Sequence, residues 1–410
     1  MKKTLWTKNF TLLIIATILG GIGGIAGNFA LSFLVYDETG STLASAIIVA
    51  VAFIPGFIIP IFVAPYMDRL PRKLFLVCGD MVNGLLYTLA GIYLLKMPFS
   101  YIGYLCFSLL LQSLGSFDML AYNSIYPNLI PEGMEQKGYA VSSMVYPVLM
   151  VIMMPVAAWL MDAIGVAWIL IFQGGLSILG AIIESGIKIH EEKRLTEEKF
   201  SFKLWWKDTK DALNFMKREK GIFYSYLYTG FASGLANGYG PIMIAFFRTA
   251  AGFTVAMYSF FSVAECIGRA IGGLFHYNLK IKKEHKFNLC FFIYEFYDFM
   301  DACLLFLPYP LMLFNRAICG FLGSNSASLR EAAIQSYIPD EYRARVIAFS
   351  DILYFAIGGI FSLLIGVMGE FLDYRVCMLI CGVLGMFLAY IIIWKNRKYT
   401  KQVFTGKADL

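Results

Sequence analysis

Twelve apolar stretches, each near the roughly 20 residues that a helix needs to cross the hydrocarbon core of a bilayer, decide what this chain can fold into. They run over residues 10–36, 42–66, 73–96, 99–127, 137–161, 166–189, 221–247, 253–276, 287–306, 310–334, 344–369 and 374–395, six on each side of a polar connection over 190–220. A bilayer offers no water to an open backbone group, so each stretch must pair its own N–H and C=O groups, and a helix is expected in each. The chain has 410 residues, 59% hydrophobic and 15% charged, more apolar side chain than a water-soluble domain can cover. The first stretch is too long for a signal-peptide core and lacks a convincing cleavage site, so it reads as a retained first helix.

Orientation follows from the cations. All but five of the 34 lysines and arginines fall in the two tails, the central connection and the alternate loops on the same side; Lys96, Arg248 and Arg375 face the other way, while Arg269 and Arg316 lie within stretches. That asymmetry places both termini in the cytoplasm. The net charge of +6 therefore reports topology and gives no reason to expect a nucleic-acid partner. The eight cysteines all lie in apolar stretches without metal-ligand spacing, so neither disulfides nor a metal site is expected, and no cofactor is implied.

The connection over 190–220 carries Phe202, Trp205, Trp206, Thr209, Leu213 and Met216 on one helical face and Lys203, Lys207, Lys210 and Lys217 around the other, the pattern of a helix lying in a membrane interface. On either side the chain repeats itself at an offset of 208 residues: Leu114-Gly115-Ser116 matches Leu322-Gly323-Ser324, and Ile130-Pro131-Glu132 matches Ile338-Pro339-Asp340. The domain reading is a bundle of six helices over 1–189, a cytoplasmic linker with an interfacial amphipathic helix over 190–220, and a second bundle over 221–410 with a cytoplasmic tail. Parallel repeats of this kind belong to secondary transporters.

Between the second and third stretches runs Ala64-Pro-Tyr-Met-Asp-Arg-Leu-Pro-Arg-Lys73, a charged turn too short to form a domain. A generic cytoplasmic turn would also carry such cations. The spacing of Asp68, Arg69, Arg72 and Lys73 resembles the signature loop of the major facilitator superfamily, with Ala64 and Pro71 where that loop has glycines. Within the superfamily the chain is most similar to the bacterial macrolide-efflux drug exporters, through this loop, Tyr126 to Glu132 and Gln335 to Val346. Gln112 stands where such exporters commonly carry an arginine, and Met154 to Ala158 lacks the antiporter glycines. The resemblance implies an all-α membrane protein with twelve transmembrane helices in two six-helix bundles. It also implies a transporter and no enzyme, with Asp68, Arg69, Arg72 and Lys73 as an inner gate.

Ionised side chains within a bilayer cost about 2.5–3.5 kcal/mol or more each, so those in mid-stretch call for an explanation. Asp118, followed one turn later by Tyr122, and Glu265 are the candidates for proton coupling. Glu265 and Arg269 are four residues apart, so a structural ion pair is the rival reading there. Asp298 or Asp301 is expected to pair with Arg316 across a tight turn. Asp80 and Glu184, a few turns from the ends of their stretches, read as snorkelling to the interface. Asn28, Tyr122, Asn237, Tyr239, Asn315 and Arg316 are the candidates for lining a substrate cavity. The expectation is a monomeric exporter in the cell membrane that exchanges protons for a small amphipathic organic substrate. Transport of one particular metabolite or siderophore is the alternative, and a non-transporting receptor or scaffold a remote one.

Overall fold

The computed structural model describes residues 4–67, 72–131, 134–188, 202–278 and 281–405. Among them are fourteen α-helices and no strand: α1 (Lys8–Thr39), α2 (Thr42–Met67), α3 (Arg72–Lys96), α4 (Tyr101–Leu129), α5 (Glu135–Ile164), α6 (Val166–Ser185), α7 (Phe202–Arg218), α8 (Lys220–Thr249), α9 (Val255–Asn278), α10 (Lys283–Cys303), α11 (Tyr309–Tyr337), α12 (Asp340–Phe371), α13 (Tyr374–Leu388) and α14 (Arg397–Thr405). Twelve of these, α1–α6 and α8–α13, lie over the twelve apolar stretches. Seven are long and apolar enough to cross a membrane on length and composition alone. Of the others, α9–α11 carry ionised side chains, whereas α2 is apolar over Thr42–Gly56.

The ends of the helices follow local chemistry. The Thr7 side chain accepts the Phe10 N–H at the start of α1, and Ser100 does the same for Gly103 at the start of α4. Helix α1 stops at Gly40, whose φ of 64° is a conformation that side chains with a Cβ avoid; its N–H closes on the Tyr36 carbonyl at 2.8 Å. Helix α13 continues into a short π-helical segment over Ala389–Trp394.

The chain forms two compact units. One comprises Met1–Gly40 with Ile54–Phe200, the other Ser41–Phe53 with Ser201–Leu410. In the first, α3 and α6 meet through glycines: a Cβ added at Gly84 would lie 2.8 Å from the Gly174 carbonyl oxygen, and one at Gly174 would lie 2.6 Å from the Gly84 carbonyl oxygen. Apolar lipid cannot drive helices together as water does, so close backbone approach at small residues is how such helices gain packing energy. The Gln173 side chain of α6 lies on Gly23 and Gly27 of α1, in space that any larger residue there would fill.

The second unit uses the same device where α9 crosses α11, at Gly268 against Ala317 and Gly320 against Glu265, and where α8 crosses α12, at Gly230, Gly234 and Gly238. Helix α7 joins this unit through Phe215 and Met216, packed with Ile222, Tyr337 and Val346, while Trp206 is exposed. The first part of α2 also belongs here, because Ala46 fits against Gly366 of α12 and Phe53 packs on Tyr354 and Phe355. Glu370, near the end of α12, caps α2: its Oε1 accepts from the Ser41 hydroxyl at 2.7 Å, the Thr42 hydroxyl at 3.1 Å and the Leu43 N–H at 2.8 Å. A carboxylate opposes the dipole of its own helix at that end but suits the open N–H groups of another helix's start.

Two neighbouring glycines give opposite expectations. Gly174→Ala should lower the thermal midpoint in detergent, costing about 1–3 kcal/mol, since it forces a methyl into an interhelical backbone contact. Gly175→Ala, with nothing within 4 Å of the added Cβ, should raise it by up to about 1 kcal/mol through helix propensity. Differential scanning fluorimetry of the two variants checks both signs.

Candidate functional site

Helices α8–α11 hold a network of balanced charge. Arg316 of α11 is 4% exposed and pairs with Asp301 of α10, which is 2% exposed. The same guanidinium reaches Glu265 Oε2 of α9 at 3.6 Å, and Glu265 Oε1 in turn takes Arg269 at 2.6 Å. Tyr239 of α8 donates to Asp301 Oδ2 at 2.9 Å, and the Phe261 ring lies 5.2 Å from the Arg316 guanidinium carbon. Two carboxylates thus meet two guanidiniums, and four helices are tied at one level. The fold places them there because α10 and α11 are joined by the short 3-10 turn Leu304–Phe306 and Pro308, which brings positions 301 and 316 to matching depth.

Of the two acids expected as alternatives for pairing with Arg316, Asp301 takes the role and Asp298 lies outside this network. It sits against Gly385 of α13, where an added Cβ would lie 2.6 Å from its carboxyl carbon, and its Oδ2 has no hydrogen-bond partner. Residues three apart on a helix differ by about 60° in direction, enough to send one acid towards α11 and the other towards α13. Glu295 likewise keeps one buried oxygen, Oε1, without a partner.

Of the residues expected at a cavity, Asn315, Arg316 and Tyr239 are tied into the protein, while Asn28 keeps an exposed side chain. Asn315 is 1% exposed and donates to the Met300 carbonyl at 2.9 Å, so it fastens α11 to α10. Arg316 and Tyr239 are consumed by the ion network. Asn237 donates to the Ser233 carbonyl one turn back at 2.9 Å and to the Tyr354 hydroxyl at 3.5 Å. Asn28 is exposed on α1, where its carbonyl accepts from Ser32. Tyr122 stacks on Tyr126 at 5.3 Å and meets Ser142 of α5 at 3.5 Å.

In the first unit the acids are arranged differently. Asp118 Oδ1 is buried without a hydrogen-bond partner, 3.7 Å from where a Cβ on Gly79 of α3 would lie. Glu184 does not snorkel: it is 3% exposed, and its Oε2 is unpartnered. Asp80 points at Gly180 of α6, with Oδ2 3.4 Å from an added Cβ there. The sequence reading missed this grouping. The signal available was a glycine beside each of two acids, Gly79 and Gly180 facing Asp118 and Asp80, since a missing side chain leaves room for a carboxyl from the next helix.

Of the signature loop, Asp68 and Arg69 lie outside the described residues. Arg72 begins α3, and Lys73 Nζ donates to the Ser185 carbonyl at 2.7 Å, capping the C-terminal end of α6 with a cation. Beside it, Asn9 of α1 donates to the Lys188 carbonyl and accepts the Lys188 N–H, at 2.7 and 3.2 Å.

A family model described as Major Facilitator Superfamily matches residues 6–293 and 299–408. The chain belongs to the Major Facilitator Superfamily. It is 22% identical over 244 residues to an uncharacterized MFS-type transporter, YkuC, of Bacillus subtilis (strain 168); the match covers 56% of this chain and about half (54%) of that relative. Its fold is similar to the crystal structure of the nucleoside transporter NupG, at a TM-score of 0.72 and 11% identity over 95% of this chain and 100% of that one. It is also similar to a bacterial homolog of the human lysosomal transporter Spinster in an inward-facing, unoccupied conformation, at a TM-score of 0.66 and 14% identity over 98% and 95% of the chains. The family and the long apolar helices make this a multi-pass membrane protein of a superfamily of transporters.

For a superfamily member the balanced network predicts an asymmetry between its two arginines. Arg316→Ala leaves Asp301 buried and uncompensated and should cost about 3–5 kcal/mol. Arg269→Ala should cost about 1 kcal/mol or less, because its side chain is 57% exposed. Unfolding midpoints of the two purified variants provide the comparison.

Proposed function

We propose that the protein is a proton-coupled exporter of amphipathic organic compounds, of the macrolide or multidrug kind, working by alternating access. In this reading it acts as a monomer in the cell membrane with both termini cytoplasmic, and the loop of Asp68, Arg69, Arg72 and Lys73 fastens the cytoplasmic end in one conformation. The observation that carries the coupling is Asp118, an acid on α4 with a buried, unpartnered carboxyl oxygen. A carboxyl of that kind can exist charged or neutral depending on what occupies its surroundings, and a transporter can use the difference to link two fluxes. Glu265 is less suited, since Arg269 and Arg316 both hold it as a carboxylate. The resemblance to macrolide exporters supports the direction and the substrate class.

The test is retention of a cationic dye such as ethidium, and of a macrolide, in cells expressing the protein. Expression should lower the retained amount, a proton uncoupler should restore it, and Asp118→Asn should abolish the energy-dependent part. Export that persists under the uncoupler removes the proton, and retention that rises on expression reverses the direction.

A further inference from the structure

We propose that the end of the second unit where α13 runs out and α10 begins carries a binding site for an anionic phospholipid, with the lipid phosphate held by Arg397, Lys398 and Lys401 of α14 and its apolar part lying against Trp394. Such a site is independent of the substrate and of the driving ion.

The site is a concavity of about 470 Å³ between the start of α10, the end of the π-helical segment and α14. Its floor is aromatic: Trp394 stacks on Phe291 at 4.7 Å and lies 6.3 Å from Phe287. Its rim is cationic, since Arg397, Lys398 and Lys401 are all exposed around it, with the Asn288 and Gln402 amides beside them. Trp394 is the last residue of the apolar span Tyr374–Trp394, the level at which tryptophan meets lipid headgroups. The Arg397 guanidinium carbon lies 5.0 Å from the Trp394 ring, so one cation already rests on the apolar floor. A guanidinium fork and two ammonium groups are donors suited to phosphate oxygens.

Scattered lysines are ordinary at the ends of membrane helices; these are held in place. The Thr400 hydroxyl donates to the Ile393 carbonyl at 3.1 Å, and the Asn396 amide donates to the Ile391 and Ile392 carbonyls at 3.0 and 3.1 Å, which fixes α14 to the π-helical segment. Thr400 and Val403 are buried, Gly221 of α8 makes room for the Tyr399 carbonyl, and the Phe404 ring lies 6.0 Å from that of Phe287. With that face packed, positions 397, 398, 401 and 402 share the opposite one. Cations presented by an anchored helix lose less freedom on meeting a ligand than those on a loose tail.

The charge is unbalanced as well. Helix α14 has no acid, and none of its three cations has an ion-pair partner among the described residues. On the first turns of α10 the one acid is Glu284, exposed a turn before Asn288 and outnumbered by Lys282, Lys283 and Lys286. Residues 406–410, outside the described ones, bring one charge of each sign, Lys407 and Asp409. A soluble anion would answer the cations alone, whereas a phospholipid answers both the cations and the aromatic floor at the membrane surface.

The test is native mass spectrometry of the purified full-length protein, titrated in detergent with phosphatidylglycerol or with zwitterionic phosphatidylcholine. Wild type should bind phosphatidylglycerol about tenfold or more tightly than phosphatidylcholine. Lys398→Gln/Lys401→Gln should weaken phosphatidylglycerol binding by roughly 30-fold, about fivefold for each charge near a membrane surface, and leave phosphatidylcholine unchanged. Lys207→Gln/Lys210→Gln, which removes two exposed lysines of α7, should bind as wild type does. If the paired exchange disturbs α14, Lys401→Gln alone still carries the fivefold loss. Equal affinity for the two lipids overturns the proposal, as does unchanged binding in the α14 variants or an equal loss in the α7 variant. Displacement of phosphatidylglycerol by millimolar inorganic phosphate would make the ligand a soluble anion and overturn the lipid assignment.

Discussion

Hydrocarbon cannot solvate a charge, so each carboxylate that the sequence places inside the bilayer has to meet a cation, take a proton or reach water. The second unit takes the first course. Asp301 and Glu265 are answered by Arg316 and Arg269, and because the four residues sit on α9, α10 and α11, with Tyr239 reaching in from α8, neutralising the charge also fixes the helices. A network of this kind resists change of protonation, since removing either sign exposes the other. In the first unit Asp118 and Glu184 each keep a buried carboxyl oxygen without a hydrogen-bond partner among the described residues.

How closely the helices approach is set by glycine. Gly84 and Gly174, or Gly268 and Gly320, bring backbone against backbone at separations that no side chain would permit. The same scarcity of side chain makes room for polar groups: Gly79 and Gly180 stand opposite carboxyls, and Gly23 and Gly27 opposite the Gln173 amide. Packing and polarity are therefore adjusted at the same positions.

The helices were legible in the sequence because hydropathy is a local property. Every apolar stretch contains a long helix, and the amphipathic run after Phe202 folds as α7. The pairing of Arg316 with an acid of α10 was legible for a similar reason, since a short turn fixes the relative depth of neighbouring helices. Which acid it would be was not legible, because that depends on how far α10 is rotated between α11 and α13. The grouping of Asp80, Asp118 and Glu184 depends on three such rotations at once, across helices far apart in the chain. Asn315 and Tyr239 were misplaced for the opposite reason: a polar residue in mid-span marks a polar surrounding, which protein groups can supply as well as an open cavity. The attachment of the first part of α2 to α12 is invisible to any local pattern, since Glu370 and Ser41 stand at opposite ends of the chain.

That attachment has a consequence for wetting. Glu370 supplies the acceptor for a backbone N–H and two hydroxyls at the start of α2, so drawing α2 away from α12 strips three donors and a carboxylate of their partners together. In a dry surrounding such a separation would be prohibitive, whereas water can replace all of those bonds. Glu370 is already exposed, so water stands ready to take over these bonds, and the contact fastens α2 to α12 without forbidding their separation.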